Sequence, residues 1–212
     1  MKRLLLVLTG LVLLSGLAAC GQRHLPTVQY PAAIRALPEK GPYHSDQPTS
    51  LTLLTVDNNS NGRGAHSALL INASQQVIFD PAGSFHHPQI RREGDVLVGI
   101  DPVFLSAYER MHARPTFHVR RQTIQVPPEV AEKALKLAFA EGPVGDARCA
   151  HSISGVLAQL PGFAGIGRTW FPNSLASEFQ SVTGVAGTLF YEDFTPPGGN
   201  PALRSQVLPY RG

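Results

Sequence analysis

Chemistry in this chain centres on Cys149, in the stretch Asp146-Ala147-Arg148-Cys149-Ala150-His151-Ser152. From Cys149 the apolar positions Ile153, Val156, Leu157 and Leu160 fall at helical spacing, and Pro161-Gly162 ends the pattern. The thiol therefore belongs to the first turn of an amphipathic helix. There the unpaired backbone N–H groups and the positive end of the helix dipole favour the thiolate, the nucleophilic form. The same N–H groups can receive a developing oxyanion. The plainer reading is a small buried apolar residue, since free cysteine is among the most buried residue types.

A thiol nucleophile needs a base, and the base needs a third group to fix its orientation and tautomer. Eight histidines are present, so position has to decide. His66 begins the strand segment HSALLI (66–71) directly after a glycine-containing loop, which would put it at a sheet edge that a helix start can approach. In period two it shares a face with Ala68 and Leu70. Asp80 ends the next strand segment, before Pro81, where it could hold the imidazole and favour its charged form. Glu93 and Gln76 are alternative orienting groups.

The remaining candidates carry less. His151 lies about 200° around the helix from Cys149, which makes it a poor base and a surface or supporting residue. His86-His87 could ligate a metal with Cys149 and His66, yet no CxxC, HExxH or comparable spacing exists. Neither a metal nor a bound cofactor is expected. Ser152 and Ser154 lie outside any GxSxG elbow. Gly162, Gly165 and Gly167 follow a helix rather than a strand and read as loop residues. Trp170, Phe171 and Phe179 are expected in the core, with Trp170 a possible border to a cleft.

The elements that must position these groups follow from punctuation and period. Strands are expected at 51–56, 66–71, 75–80, 94–100 and 116–126, with a last one in 187–194. Asp101-Pro102 caps and opens a helix to about residue 114, and Pro127-Pro128-Glu129 opens another ended by Gly142-Pro143. The Cys149 helix and a short helix at about 173–181 follow. Strands outnumber helices and the helices cluster late, which predicts an α+β domain with a mainly antiparallel sheet packed on a few helices. The folded domain spans 51–194. Residues 20–50 read as a proline-rich tether and 195–212 as a proline- and glycine-rich tail, extended along the surface or partly disordered.

The chain starts with Lys2 and Arg3, an apolar run from Leu4, and small residues before Cys20: a secretory signal peptide over residues 1–19. Leu17-Ala18-Ala19-Cys20 resembles a bacterial lipobox, which implies acylation of Cys20 and a membrane attachment through that lipid. Cleavage removes two of the 18 basic side chains and no acidic one, lowering the formal charge from +3 to +1. Nothing in the charge points to nucleic acid. With Cys20 lipidated, Cys149 has no partner within the chain, so a disulfide framework is excluded and a reactive thiol or an intermolecular bridge is implied.

The order of a histidine on a strand, an acidic residue ending the next strand, and a cysteine at a later helix start resembles the circularly permuted papain-like group. That group relates NlpC/P60 cell-wall peptidases to lecithin:retinol acyltransferase-like proteins and to bacterial lipoproteins of the YaeF/YiiX kind. The carrying segments are Gly64-Ala65-His66-Ser67-Ala68-Leu69-Leu70-Ile71, Val77-Ile78-Phe79-Asp80-Pro81 and Arg148-Cys149-Ala150-His151-Ser152, over a span of about 51–180. Many relatives have Asn before the cysteine, where this chain has Arg148. The resemblance implies Cys149 as nucleophile, His66 as base and Asp80 as orienter. It also implies a monomeric, lipid-anchored thiol hydrolase of the cell envelope, acting on peptidoglycan peptides or on lipid amides and esters. Gly21 after the lipidated cysteine favours the outer membrane, facing the periplasm, in a Gram-negative source. The alternative is a non-catalytic envelope lipoprotein acting as a binding or assembly module.

Overall fold

The computed structural model describes residues 29–192 and the strand at 206–209. The chain divides into two compact units, residues 1–31 and 32–212. Of the first, only residues 29–31 are described, so the signal peptide and Cys20 lie outside the described residues, as do 193–205 and 210–212 of the tail. No helix among the described residues is long and apolar enough to cross a membrane.

The second unit is an α+β domain built on one antiparallel sheet. Its strands are β1 (Ser50–Asn58), β2 (Gly64–Asn72), β3 (Gln76–Phe79), β4 (Arg91–Glu93), β5 (Val96–Val98), β6 (Phe117–Gln125), β7 (Thr188–Tyr191) and β8 (Gln206–Pro209). They lie side by side in the order β4-β5-β3-β2-β1-β6-β7-β8. The helices are α1 (Ala32–Arg35), α2 (Pro102–His112), α3 (Pro128–Glu141), α4 (Cys149–Leu157) and α5 (Pro172–Thr183).

The apolar runs Leu51-Thr52-Leu53-Leu54 and Ala68-Leu69-Leu70-Ile71 lack the polar alternation of a half-solvated strand, and the reason is that both sheet faces are covered. Leu51, Leu53, Leu69, Ile71, Val77 and Phe79 pack on one face beneath α3, α4 and α5, against Ala134, Ile153, Val156 and Leu175. Leu54, Val56, Ala68, Leu70 and Ile78 face the other way, against Phe104 and Tyr108 of α2. Asp101 caps α2 as its sequence suggests, accepting the Val103 and Phe104 N–H groups at 2.9 Å each.

One register detail makes the site. β3 pairs with β2 only over Leu69–Asn72, from Leu69↔Phe79 to Asn72↔Gln76. The first half of β2, Gly64–Ala68, thus has β1 on one flank and, among the described residues, no strand on the other. Into that opening come the start of α4 and the turn that follows β3.

Two expectations need correction, and one strand was not expected. Residues 40–49 are laid onto the domain rather than forming free tether: Lys40 N–H reaches Gln89 O, Tyr43 O accepts from Gln76 N–H, and Thr49 Oγ1–H reaches Val126 O. Part of the tail adds to the sheet, with β8 paired to β7 from Thr188↔Pro209 to Tyr191↔Gln206. And β4, three polar residues paired to β5 from Arg91↔Val98, has no signature that period-two patterning would detect.

Candidate active site

Cys149 is the first residue of α4 and is buried. Among the described residues no side chain caps this helix start. Ala147, two residues earlier, holds φ +61, a left-handed conformation uncommon for a residue with a Cβ. The turn thereby presents the sulfur to the open flank of β2. The His66 ring and the backbone N–H groups of Ser67 and Ala150 lie close enough to it to lower its pKa.

His66 and Asp80 come from the opposite face of the sheet. His66 lies on β2 facing the α2 layer, in line with Ala68 and Leu70. It is not at a sheet edge, because β2 is an interior strand. The missing β3 partner provides the approach instead. Asp80, directly after β3, is completely buried and accepts the His66 Nε2–H at 2.8 Å on Oδ1. Since Asp80 takes the Nε2 proton, Nδ1 is the nitrogen left to interact with Cys149. The imidazole thus interacts with both the thiol and the carboxylate.

Burying a carboxylate is costly unless its oxygens are satisfied. Tyr108 O–H donates to Asp80 Oδ1 at 2.7 Å, and Arg92 Nη2–H donates to Oδ2 at 2.7 Å. Arg92 also donates to the Asp80 carbonyl at 3.3 Å and to Asp95 Oδ1 at 3.2 Å. The turn Asp80-Pro81-Ala82-Gly83 closes with Gly83 N–H on Asp80 O at 3.0 Å, and Ala82 holds φ +56 as the third residue of a type II turn requires. A Cβ on Gly83 would stand 1.9 Å from Asp80 Oδ2. Glycine is there because the turn folds back onto the carboxylate.

His112, one helical turn beyond Tyr108, stacks on His66 with ring centroids 5.6 Å apart and planes 11° apart. It donates its Nδ1–H to Tyr108 O at 2.8 Å. The stack blocks rotation of the His66 ring away from its two partners.

Electrostatics follow the geometry. Burial alone would lower the His66 pKa, but the hydrogen bonds and negative charges of Asp80 and Cys149 outweigh it and raise it from 6.5 to about 10. Burial would raise Asp80, yet the bond and charge of His66, the charge of His112 and the Tyr108 hydroxyl bring it down from 3.8 to about 2. Burial also opposes the Cys149 thiolate, and the His66 bond and charge together with two backbone N–H groups override it and lower the thiol pKa. His112, by contrast, is pushed down to about 4 by burial and by the His66 charge, and stays neutral. Each partner thus favours the charged form of the other, thiolate with imidazolium, and the titration belongs to the pair rather than to either residue.

The other sequence candidates lie elsewhere. Gln76 donates to Ile100 O at 2.7 Å and Glu93 pairs with Arg91 at 2.8 Å, so neither orients His66. His87 packs edge-on to Phe104 at 4.9 Å, and no metal-sized grouping of His86, His87 and Cys149 occurs among the described residues. The grouping that does occur is His66, Asp80 and His112, with ligand atoms within 4.8 Å of one another. It suits a proton relay better than a metal: both Asp80 oxygens are already engaged, and the Arg92 cation occupies the position beside Oδ2. Phe179 is core as expected, but Trp170 and Phe171 are exposed, because the loop before α5 carries them across the outer side of α4. His151 indeed points away from the thiol and stacks on Trp170 at 4.4 Å.

Sequence reasoning missed Arg92, Tyr108 and His112. The spacing Phe104, Tyr108, His112 places all three on one helix face, and a tyrosine and a histidine on a core-directed stripe signal a buried polar partner. No known family model, curated protein or solved structure matches the chain.

Proposed function

We propose that this chain is a thiol hydrolase of the bacterial cell envelope, with a circularly permuted papain-like domain held to the membrane by a lipid on Cys20. The observation that carries the reading is His66 beside both Cys149 and Asp80, its Nε2–H on Asp80 Oδ1 at 2.8 Å and its pKa raised by the two together. The chain order of His66, Asp80 and Cys149 and the α+β architecture support the fold assignment.

The Cys149 thiolate attacks the carbonyl carbon of an amide or ester, and the first-turn N–H groups of α4 receive the oxyanion. His66, already protonated, gives its Nδ1 proton to the leaving nitrogen or oxygen as the bond to carbon breaks. An acyl thioester and neutral His66 remain. Water then gives a proton to Nδ1 while its oxygen attacks the thioester, and collapse expels the thiolate beside a recharged imidazolium, releasing the acid. Asp80 holds Nε2–H throughout and stays ionised. The first substrates to test are peptidoglycan stem-peptide amides, followed by lipid amides and esters.

The test is iodoacetamide alkylation of Cys149 in the full chain in detergent, followed by mass at the Cys149 peptide from pH 5 to 10. The expected thiol pKa lies below the ordinary value of 9.0, and His66→Ala returns it toward that value. Reaction only after unfolding would identify Cys149 as inert core and the protein as an envelope binding or assembly module.

A further inference from the structure

Asp95 stands in the turn between β4 and β5, and its bonds reach well beyond that hairpin. The turn is Gly94-Asp95, closed by the pair Glu93↔Val96, with Gly94 at φ +58. An aspartate in a turn commonly bonds its own backbone two residues on. Here the side chain is buried instead, and its oxygens go to distant segments. Asp95 Oδ2 accepts the Ala82 N–H at 3.3 Å and the Val144 N–H at 3.0 Å. Asp95 Oδ1 accepts from Arg92 Nη1 at 3.2 Å, and the Asp95 carbonyl accepts the Asp80 N–H at 2.8 Å.

Those segments carry the two halves of the site. Ala82 belongs to the turn that folds back onto Asp80, and Arg92 holds the Asp80 carboxylate at Oδ2. Val144 lies in the connector from α3, which ends at Glu141, to α4, which starts at Cys149. The same connector meets the hairpin a second time: a Cβ on Gly94 would stand 3.3 Å from both the carbonyl carbon and the Cα of Gly142. One buried carboxylate oxygen therefore bonds both the turn that follows β3 and the chain that leads into the nucleophile. Leaving that oxygen unsatisfied would be costly, which draws the two N–H groups to one place.

On the hydrolase reading, we propose that Asp95 is a positioning residue for the reaction: it sets the separation of Cys149 from the His66–Asp80 pair. It acts through the Val144 and Asp80 backbone rather than on the reacting atoms. The chain of bonds runs from Val144 N–H to Asp95, from Asp95 to Asp80, and from Asp80 to His66 Nε2. Without the Asp95 carboxylate the connector loses this bond to the hairpin, while His66 stays held by Asp80 and by the His112 stack. A misplacement on the order of 1 Å at a site of this kind costs about a hundredfold in rate. The thiolate is favoured by His66, so a Cys149 that draws away from the ring titrates nearer its ordinary 9.0.

The full chain in detergent is alkylated with iodoacetamide from pH 5 to 10, and each rate profile is normalised to its own high-pH plateau. The midpoint then reports ionisation of the thiol rather than access to the sulfur. In folded Asp95→Ala the midpoint is expected to rise by about one pH unit, which is about a tenfold lower thiolate fraction at pH 7. Asp95→Asn keeps one oxygen for the two N–H groups and is expected to hold the midpoint closer to that of the parent. Glu93→Gln changes the same hairpin at a side chain paired with exposed Arg91, and is expected to leave the midpoint unmoved.

A role confined to stability would lower the urea midpoint of Asp95→Ala and leave its alkylation midpoint at the parent value; that result overturns the proposal while the Cys149–His66 pair stands. An equal shift in Glu93→Gln assigns the effect to the hairpin at large and overturns it as well. Should the alanine variant fail to fold, amide exchange at Val144 in the parent decides. Its bond to Asp95 requires slow exchange, and exchange at the free-peptide rate overturns the proposal. A parent midpoint already near 9.0 and unmoved by His66→Ala removes the Cys149–His66 pair itself, and the hydrolase reading falls with it.

Discussion

Replacing Cys149 by alanine should change how stability depends on pH, because Cys149 and His66 share one proton. The folded pKa of His66 is about 10, above its ordinary 6.5, so its contribution is complete below pH 6.5 and fades as pH rises toward 10. The folded pKa of Cys149 is below its ordinary 9.0, so its contribution is complete above pH 9 and fades as pH falls. Between 6.5 and 9 one loss is matched by the other gain. In that window the folded pair and the unfolded pair each bind one proton, which predicts a flat profile. In Cys149→Ala only the histidine contribution remains, still raised by Asp80. Stability then declines with rising pH by up to about 1.4 kcal/mol per pH unit, until His66 reaches its own pKa in the variant. Urea unfolding at pH 6.5, 7.5 and 8.5, with unchanged m-values, measures both proteins. The difference between them cancels titrations elsewhere in the chain. From pH 6.5 to 8.5 the variant is expected to lose about 1–3 kcal/mol relative to the parent. Parallel curves would refute a shared proton: both flat would mean a neutral His66, both falling a neutral thiol.

Two further substitutions probe the support of the pair. Asp80→Asn removes the charge that meets His66, Arg92 and Tyr108; it should destabilise the fold by about 3–5 kcal/mol, as breaking a buried ion pair does, and move the Cys149 alkylation pKa upward. An unshifted alkylation profile in a folded Asp80→Asn protein would remove Asp80 from the relay. Gly83→Ala must displace the Asp80 carboxylate, since the new methyl would stand 1.9 Å from Oδ2. A cost of about 1–3 kcal/mol in urea melts, with a smaller upward move of the alkylation pKa, is expected from that overpacking; wild-type values for both would mean that the turn opens freely.

What could be read before the structure was what local pattern controls. Cys149 at a helix start follows from the spacing Ile153, Val156, Leu157 and the Pro161-Gly162 stop. The α2 cap follows from Asp101-Pro102, and the inner strands follow from runs such as Leu51–Val56. His66 and Asp80 were accessible because both sit where a strand meets a turn. The misses share a different cause. Arg92 belongs to a three-residue strand whose structure comes from pairing with Val96–Val98 rather than from its own sequence. Residues 40–49 are held by backbone and side-chain hydrogen bonds to distant segments, such as Lys40 N–H to Gln89 O and Asn72 Nδ2–H to Gln47 O and Pro48 O, which composition does not encode. Trp170 looks like core by type and is exposed because of what it stacks on, a tertiary fact.

The position of the site explains why it needs both helical layers. α4 brings the thiol from one face of the sheet, while His66 and Asp80 look into the other face, where Tyr108 and His112 of α2 hold them. The two halves meet only where β3 stops pairing with β2, at the start of that strand. A full-length β3 would close the opening, and a shorter one would carry Asp80 out of reach of His66. The ending of β3 at Phe79, with Asp80-Pro81 turning away and Gly83 folding back, therefore sets the distance on which the thiolate–imidazolium pair depends. The tight packing on both faces fixes that distance. Each layer alone would leave either a thiol without a base or a histidine–aspartate pair without a nucleophile.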